Sequence, residues 1–231
     1  MCIRDSSCTL VQNLRFSPRM SAMLPRWQKI LLLAVFATGF ANAADPEAGR
    51  ALYGTCVACH GASAEGNPAL NSPALAGQSD AYVVRQLKHF QVGTRGAAEG
   101  DTYGAQMVPM AKTLASDTAV ADVAAYLASL PGVNPEPTID GDPVQGNKQY
   151  QSKCGACHGS SGQGNDMLNA PKLTGIGDAY LVRQVQGFQR GLRGSHPDDT
   201  YGKQMKMMSV LVSDKELNDV AAYLNEKTAQ E

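Results

Sequence analysis

The sequence has little excess charge of either sign. Over 231 residues its 20 lysines and arginines nearly balance its 21 aspartates and glutamates, leaving a formal net charge of −1. There is no basic stripe to meet a phosphate backbone, which excludes nucleic acid as a partner. It also lacks a long hydrophobic run: the most apolar stretch, Ile30 to Phe40, is too short to cross a bilayer comfortably. The alternating strand and helix pattern of a thioredoxin-like redox fold is missing, so a cysteine pair here does not read as a dithiol oxidoreductase. Cysteine itself is scarce. Apart from Cys2 and Cys8 near the start, four remain, all confined to two short segments.

The first forty or so residues do not read as a folded domain. From Met23 the sequence "MLPRWQKILLLAVFATGFANA" has a basic start, an apolar centre and small residues at Ala41 and Ala43. That is the pattern of a secretory signal peptide over 23–43, and it predicts a periplasmic protein after cleavage. Residues 1–22 show no apolar periodicity and are expected to be a non-native leader, with Met20 or Met23 the true start. From Ala44 onward acidic residues outnumber basic ones by five.

Beyond Ala43 the chain is one unit written twice. An offset of 98 carries "DAYVVRQLKHFQVGTRG" at 80–96 onto "DAYLVRQVQGFQRGLRG" at 178–194, with 11 of 17 positions identical. The same offset carries "DTYGAQM" at 101–107 onto "DTYGKQM" at 199–205, and it slips to 97 at the two "VAAYL" segments. A repeat of this length suits a small independent domain. We therefore expect domain 1 at 44–132, a proline-rich and fairly stiff linker at 133–141, and domain 2 at 142–231.

Each copy reads as helices joined by long loops, an all-α fold. One helix is predicted from Asp45 or Asp142 into the cysteine segment, and a second from Asp80 or Asp178 to Gly93 or Gly191. A last helix should start at Ser116 or Ser213, where Ser213 and Glu216 are placed to form a capping box. Val120, Val123, Leu127 and Leu130 supply its buried stripe. The run from Gly61 to Ser79 is long and structureless for so small a unit, which implies that something other than side chains fills the centre.

The cysteines lie in "CVACH" (Cys56, Cys59, His60) and "CGACH" (Cys154, Cys157, His158). C-x-x-C-H is the attachment signature of c-type haem: two thiols form thioethers with the porphyrin and the adjacent histidine binds iron. As disulfides these pairs would close loops too small to constrain the unfolded chain. A zinc site would need more ligands than one copy supplies. Two covalently bound haem c groups are the expected cofactors. "QMVPM" at 106–110 and "QMKMM" at 204–208 are the source of a sixth ligand, with Met107 and Met205 first and Met110 and Met208 next. Met107 and Met205 are expected in a loop ahead of the last helix. His89 and His196 do not align and are expected at the surface. Pro73 and Pro171 match, either as plain loop prolines or as a loop whose carbonyl takes the histidine ring N–H; Arg85 and Arg183 also match, either as exposed helical arginines or as partners of haem propionates.

With both pentads, the "DAYxVRQ" helices and the late methionines in place, the whole chain from Ala44 resembles the di-haem cytochromes c of the c4 class. The resemblance implies tandem class I cytochrome c domains, His60/Met107 and His158/Met205 as axial pairs, and thioethers at Cys56, Cys59, Cys154 and Cys157. It implies a periplasmic electron carrier that is not an enzyme and takes no small-molecule substrate. Its partners would be redox proteins, a membrane oxidase or a dehydrogenase, with peripheral membrane association possible and an acidic surface to steer docking. Two rival readings are a peroxidase-like di-haem enzyme with one open iron and a dedicated cytochrome subunit of a dehydrogenase complex.

Overall fold

A computed structural model of the chain describes residues 43–230. The expected leader, and the signal peptide but for Ala43, lie outside the described residues. From Ala44 onward the chain forms one compact unit. The first copy contains α1 (Pro46–Tyr53), α2 (Val57–His60), α3 (Asp80–Val92), α4 (Thr102–Lys112) and α5 (Asp117–Ser129). The second repeats them as α6 (Pro143–Lys153), α7 (Gly155–His158), α8 (Asp178–Gln189), α9 (Thr200–Ser209) and α10 (Asp214–Thr228). Among the described residues there is no strand, only the single bridges Asn67–Ser72 and Asn165–Ala170. The all-α reading holds.

Local chemistry sets the helix starts. Asp45 and Asp142 cap α1 and α6 through their carboxylates, and Pro46 and Pro143 occupy first helical positions where no N–H is needed. The predicted opening helix does not run unbroken into the cysteine segment: a turn intervenes after Tyr53, and the pentads form short helices of their own. Ser116 caps α5, and Ser213 with Glu216 makes the full capping box at the start of α10.

The first and last helices of each copy cross in close contact. An added Cβ at Gly49 would lie 1.9 Å from the Asp122 carbonyl oxygen, and one at Gly146 would lie 1.8 Å from that of Asp219. Both approaches exclude any side chain. The same two aspartates reach back: Asp122 Oδ1 accepts the Asp45 N–H at 2.7 Å, and Asp219 Oδ1 accepts the Asp142 N–H at 2.9 Å. Around these crossings lie the two cores, Tyr53, Val83, Leu114, Val120, Val123 and Leu127 in the first copy, Tyr150, Leu181, Val220, Tyr223 and Leu224 in the second.

The connection between the copies carries no helix and is pinned at its far end. Asp178 accepts hydrogen bonds from the Thr138 N–H (2.6 Å), the Thr138 hydroxyl (2.7 Å) and the Ile139 N–H (2.8 Å), which holds its pKa below the ordinary value against the opposing effect of burial. Its counterpart Asp80 is exposed.

Two outcomes are expected. Gly49→Ala or Gly146→Ala should destabilise its copy by about 1–3 kcal/mol, the range for overpacking a close contact, read by denaturant unfolding. The Glu216 carboxyl is held down to about 2, first by the Lys153 ammonium at 2.8 Å and then by the Ser213 N–H and hydroxyl. A depressed carboxylate stabilises above its ordinary value of 4.5 and loses that contribution as pH falls toward 2. Glu216→Gln should therefore flatten the acid limb of the stability profile between those values, and an unchanged limb would refute this.

Candidate functional site

Each pentad closes one helical turn. The His60 N–H bonds the Cys56 carbonyl at 2.9 Å, and the His158 N–H bonds that of Cys154 at 3.0 Å. Residues three and four apart share a helix face, so both sulfurs and the imidazole of each copy turn to one side. None of the four cysteines is in a disulfide. Among the described residues no three His, Cys, Asp or Glu side chains group as a metal site. The residue after each histidine is anchored by a buried tyrosine: Tyr53 donates to the Gly61 carbonyl at 2.8 Å and Tyr150 to the Gly159 carbonyl at 2.6 Å. Burial, its largest cause, pushes both phenols well above their ordinary pKa, so they remain donors.

His60 and His158 are buried, 6% and 5% exposed. Each Nδ1 lies 2.9 Å from a proline carbonyl, Pro73 for His60 and Pro171 for His158. A carbonyl only accepts, so Nδ1 carries the proton and Nε2 keeps its lone pair for a metal. Burial holds both imidazoles below their ordinary pKa, partly offset by the carbonyl bond. The prolines singled out in the sequence therefore fix the tautomer and the ring orientation.

The methionines are not in loops. Met107 lies within α4 and Met205 within α9, helices capped by Asp101 and Asp199 through the N–H groups of Gly104 and Gly202. The sequence hid them because Gly104 and Pro109 are poor helix formers and the exposed faces break the apolar period. In the second copy Met205 faces the same cavity as Cys154, Cys157 and His158, an enclosure of about 470 Å³ whose walls include Leu181 and Phe188. Met208 also reaches it; Met205 is the more buried of the two, Met208 being 40% exposed.

That cavity opens onto the other copy, since Tyr82, Arg85 and Gln86 of α3 line it. Beside it the copies bury two guanidiniums with near two-fold symmetry. Arg95 donates to Gln86 Oε1 and Gln184 Oε1, each at 2.8 Å, and to Tyr180 Oη at 3.1 Å. Arg193 donates to Gln184 Oε1 at 2.8 Å and Gln86 Oε1 at 3.0 Å. All these partners are neutral, and the Nε atoms of Arg95, Arg183 and Arg193 are buried with no hydrogen-bond partner. A buried cation without an anion costs several kcal/mol. The site thus has two thiols, a neutral imidazole, a thioether across the cavity, apolar walls and unmatched buried cations, a donor set that fits a haem with its two carboxylates.

The cytochrome c profile matches residues 46–131 and again 143–227. The chain belongs to the cytochrome c family. Cytochrome c4 of Stutzerimonas stutzeri is 36% identical over 206 residues, covering 84% of this chain and 95% of that one. A thiosulfate dehydrogenase electron acceptor of Thiomonas intermedia is 32% identical over 67% of this chain and 70% of its own length. The crystal structure of reduced cytochrome c4 from Pseudomonas stutzeri superposes with a TM-score of 0.64 at 33% identity, over 79% of this chain and 98% of that chain. This cytochrome therefore carries two covalent haem c groups, one for each pentad.

Some sequence expectations need correction. His89 is not at the surface: its side chain is 17% exposed and its Nδ1 lies 3.8 Å from Asp199 Oδ1 of the other copy. Burial lowers its pKa, with Asp199 opposing. His196 is at the surface, as expected, with 37% of its side chain exposed. Arg85 and Arg183 add a contact the sequence does not show: their guanidiniums bond Asn169 and Asn71 across the interface. The buried pair Arg95 and Arg193 went unnoticed, although its signal was present in the repeated "TRG" and "LRG".

Removing the tyrosine hydroxyl tests the anchoring. Tyr53→Phe or Tyr150→Phe removes one of the two donors to its glycine carbonyl, the other being the Ala64 or Gly162 N–H at 3.3 Å, and should cost about 0.5–1.5 kcal/mol. Two haems per chain should remain by pyridine haemochrome assay, and a stability loss near zero would refute the anchor.

Proposed function

We propose that this cytochrome is a periplasmic di-haem electron carrier whose irons are each held on both sides by the protein. The reading rests on one observation: His158 and Met205 face the same cavity, and His60 and Met107 stand at the corresponding places of the first copy's helices. His60 with Met107 and His158 with Met205 are the proposed axial pairs, and Cys56, Cys59, Cys154 and Cys157 the proposed thioether positions. Bound haem supplies a one-electron iron couple, with methionine ligation favouring a raised potential.

The side chains do the rest. Pro73 and Pro171 carbonyls keep the imidazoles neutral and oriented, and the apolar walls exclude water from the metal. Arg95 and Arg193 are the residues that would hold the propionates. With both axial positions filled no substrate reaches iron, so the protein shuttles electrons and does not catalyse. The division at 44–132, 133–141 and 142–231 gives each haem its own domain, and the signal peptide directs the chain to the periplasm.

Redox proteins are the partners. The resemblance to a thiosulfate dehydrogenase electron acceptor supports a dehydrogenase on the donor side, and a terminal oxidase suits the acceptor side. A peroxidase-like role would need an open iron, which the repeated methionines oppose.

The visible spectrum tests this. The purified protein should show two low-spin haems, a sulfur-to-iron band when oxidised, and no response to carbon monoxide at neutral pH. Met107→Ala or Met205→Ala should let half of the haem bind carbon monoxide, while Met110→Ala and Met208→Ala should not. Carbon monoxide binding by the unaltered protein would refute the carrier reading.

A further inference from the structure

The two copies grip each other's proline loops. Arg85, on α3 of the first copy, donates from one nitrogen to the Asn169 carbonyl at 2.7 Å and from another to Asn169 Oδ1 at 3.2 Å. Its guanidinium also lies 4.6 Å from the ring centre of Tyr201, on the methionine-bearing helix α9. One side chain of the first copy thus joins the histidine side and the methionine side of the second copy's cavity. The reciprocal contact exists: Arg183 donates to the Asn71 carbonyl at 2.6 Å and Asn71 Oδ1 at 3.3 Å, and stacks 4.7 Å from Tyr103 on α4.

These asparagines are well placed to transmit position. Asn71 and Asn169 adopt φ of 57° and 55°, the left-handed region that asparagine tolerates, and each stands two residues before the proline whose carbonyl orients the histidine. The grip is unequal. Gln78 of the first copy, 5% exposed, donates to the Lys172 carbonyl at 2.9 Å and accepts the Lys172 N–H at 3.1 Å, directly after Pro171. Ile176 takes its place in the second copy and offers no such pair. The Pro171 loop is therefore clasped on both sides from the first copy, whereas the Pro73 loop is clasped on one side from the second.

We infer that the axial histidine of each haem is positioned in trans: Arg85 and Gln78 set the second haem's imidazole hydrogen bond, and Arg183 sets the first's. This rests on the di-haem reading above and adds to it a direct mechanical link between the two sites, stronger toward the second. A firm Nδ1–H to carbonyl bond raises the basicity of the ligand and so favours oxidised iron. Loosening the loop weakens that bond and shifts the affected haem toward the reduced form.

The test is a crossed one, made on the full-length holoprotein. The potentials and the paramagnetically shifted haem methyl resonances of both haems are measured, and each haem is assigned by replacing the methionine of one copy. Arg85→Gln combined with Gln78→Leu should raise the potential of the second haem and move its methyl pattern, leaving the first in place. Arg183→Gln should do the reverse, with a smaller shift. Arg85→Lys keeps the charge but not the two-pronged contact and should remain shifted. A change confined to the substituted residue's own copy, equal changes at both haems, or none in a variant with native circular dichroism and two haems would overturn trans positioning while leaving the carrier reading intact. A haem count below two, or carbon monoxide binding by the parent protein, would overturn both.

Discussion

Where α1 meets α5, and α6 meets α10, backbone passes so close to backbone that only hydrogen fits at Gly49 and Gly146. The crossing holds each opening helix in place, and the pentad begins within a few residues of that helix's end. A buried carboxylate on the partner helix, Asp122 or Asp219, reinforces it by accepting the N–H of the capping residue at the helix start. A buried acceptor that is fully used is stabilising, whereas an idle one is costly. The tyrosines in the last turns of the opening helices, Tyr53 and Tyr150, carry this contact onward to the residue after each histidine.

The second organising fact is electrostatic. Arg95 and Arg193 are buried side by side among glutamine, tyrosine and phenylalanine, with no carboxylate bonded to either. Carboxylates of the cofactor would offset two cations in such a place, which ties the interface between the copies to the proposed haem sites. Gln86 and Gln184 serve both arginines, which makes each copy's polar network incomplete without the other. The same interface brings Arg85 and Arg183 onto foreign loops, and a tandem duplication thereby becomes a coupled pair.

Near-identity of the copies does not make them equivalent. The capping box of α10 and its Lys153 partner have Ala119 and Thr55 in the matching places of the first copy. His89 and Gln78 have no counterparts, and Asp178 anchors the connecting segment, whereas the exposed Asp80 bonds only the Ala81 N–H of its own helix. Each difference lies at the interface, the connection or a helix end. The apolar cores repeat closely, because packing around a common cofactor tolerates less change.

The pentads alone carried the cofactor, since cysteine and histidine at that spacing suit little else, and the 98-residue offset carried its doubling. Helices with a clear apolar stripe, α3, α5, α8 and α10, were also legible, because propensity and periodicity agreed there, with capping serines at the starts of α5 and α10. The helices bearing Met107 and Met205 were not: glycine, proline and an exposed face mask a helix that tertiary contact stabilises. His89 was misplaced for a related reason, as burial at a domain interface depends on the neighbouring copy and leaves no mark on its own helix. Sequence by itself determined the cofactor, the repeat and the all-α class through local chemistry. Tertiary structure alone decided which arginine serves which copy, because a guanidinium at the end of a long side chain finds its partner through space, a hundred residues away along the chain.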